Sequence, residues 1–130
     1  MEEFNRDKIR SLITDKRVVI VGPATYLNKK GLGKLIDSYD IVVRCNKGHG
    51  LIKDPINYGS RTDILYHCVC QDIDNGGSIT EELYNDLKLI VLAYPPLTQT
   101  EKSTFKYGNI YLYNKINAKF KNKLSCVNKI

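Results

Sequence analysis

The sequence predicts an α/β domain built on a mostly parallel, Rossmann-like sheet of about five strands flanked by helices. Three observations predict it. Short β-branched and aliphatic runs recur at residues 18–21, 41–44, 63–68, 89–92 and 110–113. Glycine- or Asx-marked turns and stretches of helical periodicity separate them. Strands alternating with helices give parallel pairing through right-handed crossovers. The 130 residues suit one domain spanning 1–130, a size at which about two thirds of the unfolded surface is buried.

Taken in order, residues 3–14 form an amphipathic helix with Phe4, Ile9, Leu12 and Ile13 on one side. Val18, Val19, Ile20 and Val21 make the first strand, apolar throughout and so expected to be buried on both faces. Gly22-Pro23 ends it. Gly31-Leu32-Gly33 introduces a short helix at Lys34-Leu35-Ile36, closed by Asp37-Ser38. Asp40 opens the second strand, Ile41-Val42-Val43-Arg44. Residues 45–61, with Gly48, Gly50, Pro55 and Gly59, show little periodicity and read as one long loop; in a small domain such a loop is functional or disordered.

The third strand comes next, at 63–68. Asp74-Asn75-Gly76-Gly77 is a turn, and Ser78 to Glu81 has capping-box spacing that opens a helix reaching about Leu87. Residues 89–92 are the fourth strand, stopped by Pro95-Pro96, and Thr98 to Glu101 can start another helix. Ile110-Tyr111-Leu112-Tyr113 is the fifth strand. From Lys115 the chain reads as a basic amphipathic helix with Ile116, Phe120 and Leu124 as its apolar line.

Charge is unevenly placed. The net charge is +6, yet residues 1–100 hold 13 basic and 13 acidic residues, while residues 101–130 hold seven Lys and one Glu. A basic tail suits an acidic partner such as nucleic acid or an anionic membrane. No arginine cluster accompanies the lysines, so a solvated helix face is the better reading and nucleic acid is not an expected partner. The four cysteines are Cys45, Cys68, Cys70 and Cys126. Cys68 and Cys70 share one face of a strand, and no second pair stands at zinc-site spacing. Free thiols in a reducing compartment are expected. No signal peptide is recognisable, and no apolar run approaches the ~20 residues of a membrane span, so a cytoplasmic location is expected.

Ligands of parallel sheets bind beyond the carboxyl ends of the strands. That rule singles out Gly22, Pro23, Ala24 and Thr25 after the first strand, and Arg44 and Asn46 at the end of the second. The Gly22 turn can present amides to a phosphate, although it matches neither the G-x-G-x-x-G nor the P-loop spacing, and on the residues alone a structural turn is the better reading. Alternation puts Arg44 and Asn46 on one face, where each can hydrogen-bond a phosphate, carboxylate or ribose. Alternatively Arg44 pairs with Asp40 or Asp63 and Asn46 caps the strand. Ser60, Arg61 and Thr62 offer polar groups, and Asp63 an acceptor to brace the Asn46 loop. His67 ends a strand, as a general base or as a structural histidine; His49 is expected to be exposed. Asp72-Ile73-Asp74 has a metal-binding pattern but sits in a turn, and no metal site is assigned.

In sequence, VVIVGPATYLNKKGLGKLIDSYDIVVRCNKG and, after it, YGSRTDILYH together resemble the large sialyl motif of glycosyltransferase family 29, the sialyltransferases. The correspondence runs through Gly22-Pro23-Ala24, Gly31 to Gly33, Ile36-Asp37-Ser38-Tyr39-Asp40, Arg44-Cys45-Asn46 and Gly59-Ser60-Arg61-Thr62. Tyr94-Pro95-Pro96 looks like bacterial and viral-type members. The resemblance implies a GT-A-variant fold and metal-independent transfer of a sialic-acid-type sugar from a CMP-sugar to a glycan acceptor, with the CMP-sugar as donor substrate and no cofactor. It implies donor binding by Gly22, Pro23, Ala24, Thr25, Arg44 and Asn46, with Asn46 at the nucleotide's ribose and phosphate. Pro23 replaces the more familiar asparagine and lacks an amide proton. The cysteine that usually opens the motif is absent, with Arg17-Val18 in its place. The small motif and the histidine motifs are not recognisable after Asn109, so no catalytic residue is assigned. The chain then reads as a donor-binding domain lacking the C-terminal half of the family's catalytic domain. The other reading is a catalytically incomplete nucleotide-binding module, completed by a second chain or a homo-oligomer.

Overall fold

The computed structural model describes residues 6–67, 86–92 and 124–126. Five strands form one sheet in the order of the sequence: β1 (Val18–Val21), β2 (Ile41–Cys45), β3 (Ile64–His67), β4 (Leu89–Leu92) and β5 (Leu124–Cys126). Every neighbouring pair is parallel. Three α-helices are described, α1 (Arg6–Ile13), α2 (Gly33–Asp37) and α3 (Pro55–Tyr58), with short 3₁₀ segments at Thr25–Leu27 and Asn46–Lys53. The α/β class and the parallel sheet are therefore as expected.

Alternation along β2 builds two apolar layers. Ile41 and Val43 face one side with Ile64, Leu89 and Val91, and α1 lays Ile9, Leu12 and Ile13 against them. Val42 faces the other side with Val21 and with Ile36 of α2, joined by Val19 and Leu27. Period two in the strands and the i, i+3, i+4 spacing in α1 produce these layers directly.

Several expectations need correction. β1 is an edge strand, and Ile20 is 72% exposed; the run that is buried on both faces is β2. An apolar run signals strand but not its place in the sheet. The expected loop over 45–61 is largely helical, because Pro55 supplies a helix first turn and Gly59 (φ +81°) its stop. Residues 124–126 form β5, paired with β4 from Ile90↔Leu124 to Leu92↔Cys126, so the basic helix expected from Lys115 does not extend through Leu124. The strand expected at 110–113, the helix from 78, the cysteines at 68 and 70, the acidic pair at 72 and 74, and the prolines at 95 and 96 lie outside the described residues.

The amino edge of the sheet is tied by polar contacts. Arg17, standing where the resemblance expects a cysteine, donates its backbone amide to Asp40 Oδ2 at 2.8 Å. Its guanidinium donates to the Ser38 carbonyl and lies over the Tyr39 ring, 5.1 Å from the centroid. Asp63, just before β3, accepts from the Val42 amide at 2.8 Å and from Arg61 Nε at 3.1 Å, and pairs with Lys88 Nζ at 3.3 Å. It therefore couples β2, β3 and β4 and does not brace the Asn46 loop. The reason is topological: Asp63 precedes its strand whereas Asn46 comes after its own, so in a parallel sheet they sit at opposite edges.

Among the described residues, no helix is long and apolar enough to cross a membrane.

Candidate functional site

The carboxyl edge of β1 and β2 carries the polar turns. Val21 is in register with Arg44, so the chains leaving both strands start side by side. They stay together. A Cβ on Gly48 would lie 3.1 Å from Pro23 Cα, tighter than ordinary van der Waals contact. The Asn46 segment thus packs on the Gly22-Pro23 turn with only a glycine between them.

Asn46 is half-buried and has φ +48°, a left-handed conformation rare outside glycine but tolerated by Asn. It turns the chain from extended β2 into the 3₁₀ segment Asn46–Lys53. Backbone in that region collects at binding sites, where surrounding structure holds it in place. Ala24 and Thr25 are exposed, Gly22 and Pro23 partly so. The Thr25 carbonyl accepts from the Asn28 amide at 3.0 Å and from the Tyr58 hydroxyl at 2.9 Å.

Arg44 points elsewhere. It is fully buried, with 0% exposure. Its Nε and one Nη donate to the Arg61 carbonyl at 3.2 and 3.0 Å, and that Nη also donates to the Tyr58 carbonyl at 2.5 Å. The other Nη has no hydrogen-bond partner among the described residues. Burial pushes the guanidinium down to about 10, opposed by Asp37 and assisted by Arg61, so it is charged at neutral pH. Neither Asp40 nor Asp63 pairs with it. Arg44 ties the end of α3 to β2, beneath the turns.

The segment entering β3 is held by Asp37, whose carboxylate accepts the Ser60 amide at 2.9 and 3.1 Å and its hydroxyl at 2.8 Å. Arg61 donates to the Asp37 carbonyl at 3.0 Å and to the Tyr39 carbonyl. Ser60, Arg61 and Thr62 are therefore spent on structure. His49 is buried rather than exposed, 2.9 Å from Thr62 Oγ1, because the helical path of 46–53 folds it inward. His67 is buried at the end of β3. Cys45 is a free thiol, and burial pushes it up. Tyr66 is pushed up as well, by burial and then by Cys45. Among the described residues no three His, Cys, Asp or Glu gather to hold a metal ion.

Of the expected site residues, Gly22, Pro23, Ala24 and Thr25 follow β1, Asn46 opens the segment whose Gly48 packs on Pro23, and Arg44 is buried within the fold. Sequence reasoning missed Tyr58, which carries no signal in the sequence beyond being aromatic. It noted Gly48 without a role; a glycine in an otherwise polar segment was the available clue to a close approach.

A parallel sheet with polar turns at the carboxyl edge of adjacent strands defines a Rossmann-like α/β protein. The family model described as glycosyltransferase family 29 (sialyltransferase) matches residues 7–123. The chain belongs to that family, the sialyltransferase-type glycosyltransferases. No curated protein matches the chain.

Proposed function

We propose that the edge formed by Gly22, Pro23, Ala24, Thr25 and Asn46 binds the CMP part of a CMP-sugar, and that the chain serves transfer of a sialic-acid-type sugar to a glycan acceptor without a metal ion. The observation that supports it most is the packing of Gly48 on Pro23. It sets the left-handed Asn46 beside the β1 turn, at the edge where parallel sheets take ligands, in a chain of the sialyltransferase family. Asn46 offers both a carbonyl and an amide to ribose or phosphate. Arg44 contributes from beneath, as a buried cation that holds α3 and lends positive potential to the edge. Residues 1–130 act in this reading as one donor-binding domain.

Calorimetry with CMP on the full chain tests the reading. Binding heat is expected, with affinity reduced at least about ten-fold by Asn46→Ala, the loss of two hydrogen bonds to a charged ligand. Absence of heat overturns donor binding. A transfer assay with CMP-sialic acid in EDTA, with and without a complementary fragment, tests turnover and metal independence together.

A further inference from the structure

We infer that Tyr58 is a positioning residue for the donor turn, a reading that rests on the donor site proposed above. Tyr58 is the last residue of α3 and is buried. Its hydroxyl donates to the Thr25 carbonyl at 2.9 Å, across 33 positions of sequence. Its own carbonyl accepts from Arg44 of β2 at 2.5 Å. One residue thus links the cation inside the sheet layer to the exposed turn after β1.

The turn needs that link. The Thr25–Leu27 segment buries no residue fully. It is anchored by Leu27, packed on the Val21, Ile36 and Val42 cluster, and by the Tyr58 hydroxyl. The hydrogen bond from Asn28 to the Thr25 carbonyl closes the turn but does not attach it to the rest of the fold. Because the peptide group is planar, holding the Thr25 carbonyl also fixes the direction of the Tyr26 N–H in the same peptide plane. Tyr58 therefore determines where the exposed half of the site stands relative to Asn46, without touching the ligand.

Tyr58→Phe removes only the hydroxyl and keeps the ring in its buried place. Two measurements on the full chain decide the matter: CMP affinity by calorimetry, and amide hydrogen exchange read at Asn28 and at Val42. The expected result is a CMP dissociation constant raised about three- to ten-fold, the worth of one preorganising hydrogen bond. Exchange should be faster at Asn28 and unchanged at Val42, whose amide is held by Asp63. A wild-type chain that binds CMP together with a Tyr58→Phe chain that binds it equally well overturns the inference and leaves the donor site standing. A lowered melting temperature with unchanged CMP affinity overturns it too, since it makes the hydroxyl merely structural. A wild-type chain that does not bind CMP overturns the donor site itself.

Discussion

Gly33→Ala sets two physical effects against each other, and their balance can be worked from the structure. Gly33 is the first residue of α2. Alanine is the better helix former, and on propensity alone the change stabilises by up to about 1 kcal/mol. Packing says the opposite. A Cβ at Gly33 would stand 1.7 Å from the Pro55 carbonyl oxygen and 2.6 Å from that of Ile56. Both are backbone atoms, so no rotamer change relieves the overlap, and α2 and α3 must move apart by roughly 1 Å or more before the contact reaches the ~3 Å that side chains tolerate. The movement strains the packing around Ile36 and Tyr58, both nearly fully buried. Overpacking of this kind is worth about 1–3 kcal/mol, occasionally more. An overlap this severe falls in the upper part of that range, and after subtracting the propensity gain a net loss of about 1–2 kcal/mol remains. Urea unfolding monitored by circular dichroism reads it as a lower midpoint at unchanged slope. Gly50→Ala is the control, because nothing lies within 4 Å of its Cβ position, and it should fall within about 0.5 kcal/mol of wild type. A Gly33→Ala chain as stable as wild type would refute the close approach of the two helices.

Three other outcomes rest on the same contacts. Asn46→Gly should weaken CMP binding as much as Asn46→Ala while being more stable than it by about 1 kcal/mol, since glycine takes φ +48° without strain; equal stability of the two variants in urea would show that the turn is unstrained. Asp63→Ala should lose about 2–4 kcal/mol, because it leaves the Val42 amide buried and unpaired and removes the partner of Arg61 and Lys88; the isosteric Asp63→Asn, which keeps one acceptor, should lose less in the same assay. Cys45 is an acid whose folded pKa is raised by burial. The unfolded chain therefore loses its proton first, and the thiol's contribution is complete below the unfolded value of about 8.5 and is lost as pH rises through the higher folded value. Stability in urea should decline above about pH 8.5, and Cys45→Ser should flatten that part of the profile.

What was legible in the sequence was the part written in local pattern. The β-branched runs at 18–21, 41–44 and 89–92 became β1, β2 and β4 with little change of boundary, because strand period and burial act over a few residues. The short helix introduced by the glycines at 31 and 33 became α2, but the need for Gly33 was not visible. It comes from α3, distant in sequence, whose backbone crosses at that point. The same holds for residues 46–58. Their glycines and Pro55 read as irregular chain, whereas these residues build two helical segments whose reward lies in nonlocal contacts: Gly48 on Pro23, His49 on Thr62, Tyr58 on Thr25. A strand run likewise says nothing of its neighbours, so the exposed edge at Ile20 could not be read from four apolar residues.

Arg44 and Asn46 show how this limit bears on the site. Close together at the end of one strand, both polar, they invite one assignment. The structure separates them by the reach of their side chains. The Arg44 side chain is long enough to run beneath the sheet layer to the carbonyls of Tyr58 and Arg61, where three hydrogen bonds compensate its burial. Asn46 is half-buried and takes a left-handed backbone conformation where the chain leaves β2. A cation left at the rim would bind phosphate directly and would be held by little else. Moved inward it fixes Tyr58, and through the Tyr58 hydroxyl the Thr25 turn. On the proposed reading the charge then acts by ordering the groups of the donor site. On this argument Arg44→Lys should be more damaging than its unchanged charge suggests. A lysine cannot present the planar fork that reaches the two carbonyls together, so the chain should lose about 2–4 kcal/mol in urea unfolding, with a buried ammonium left under-bonded. An Arg44→Lys chain of wild-type stability that had lost CMP affinity would instead place the guanidinium on the ligand.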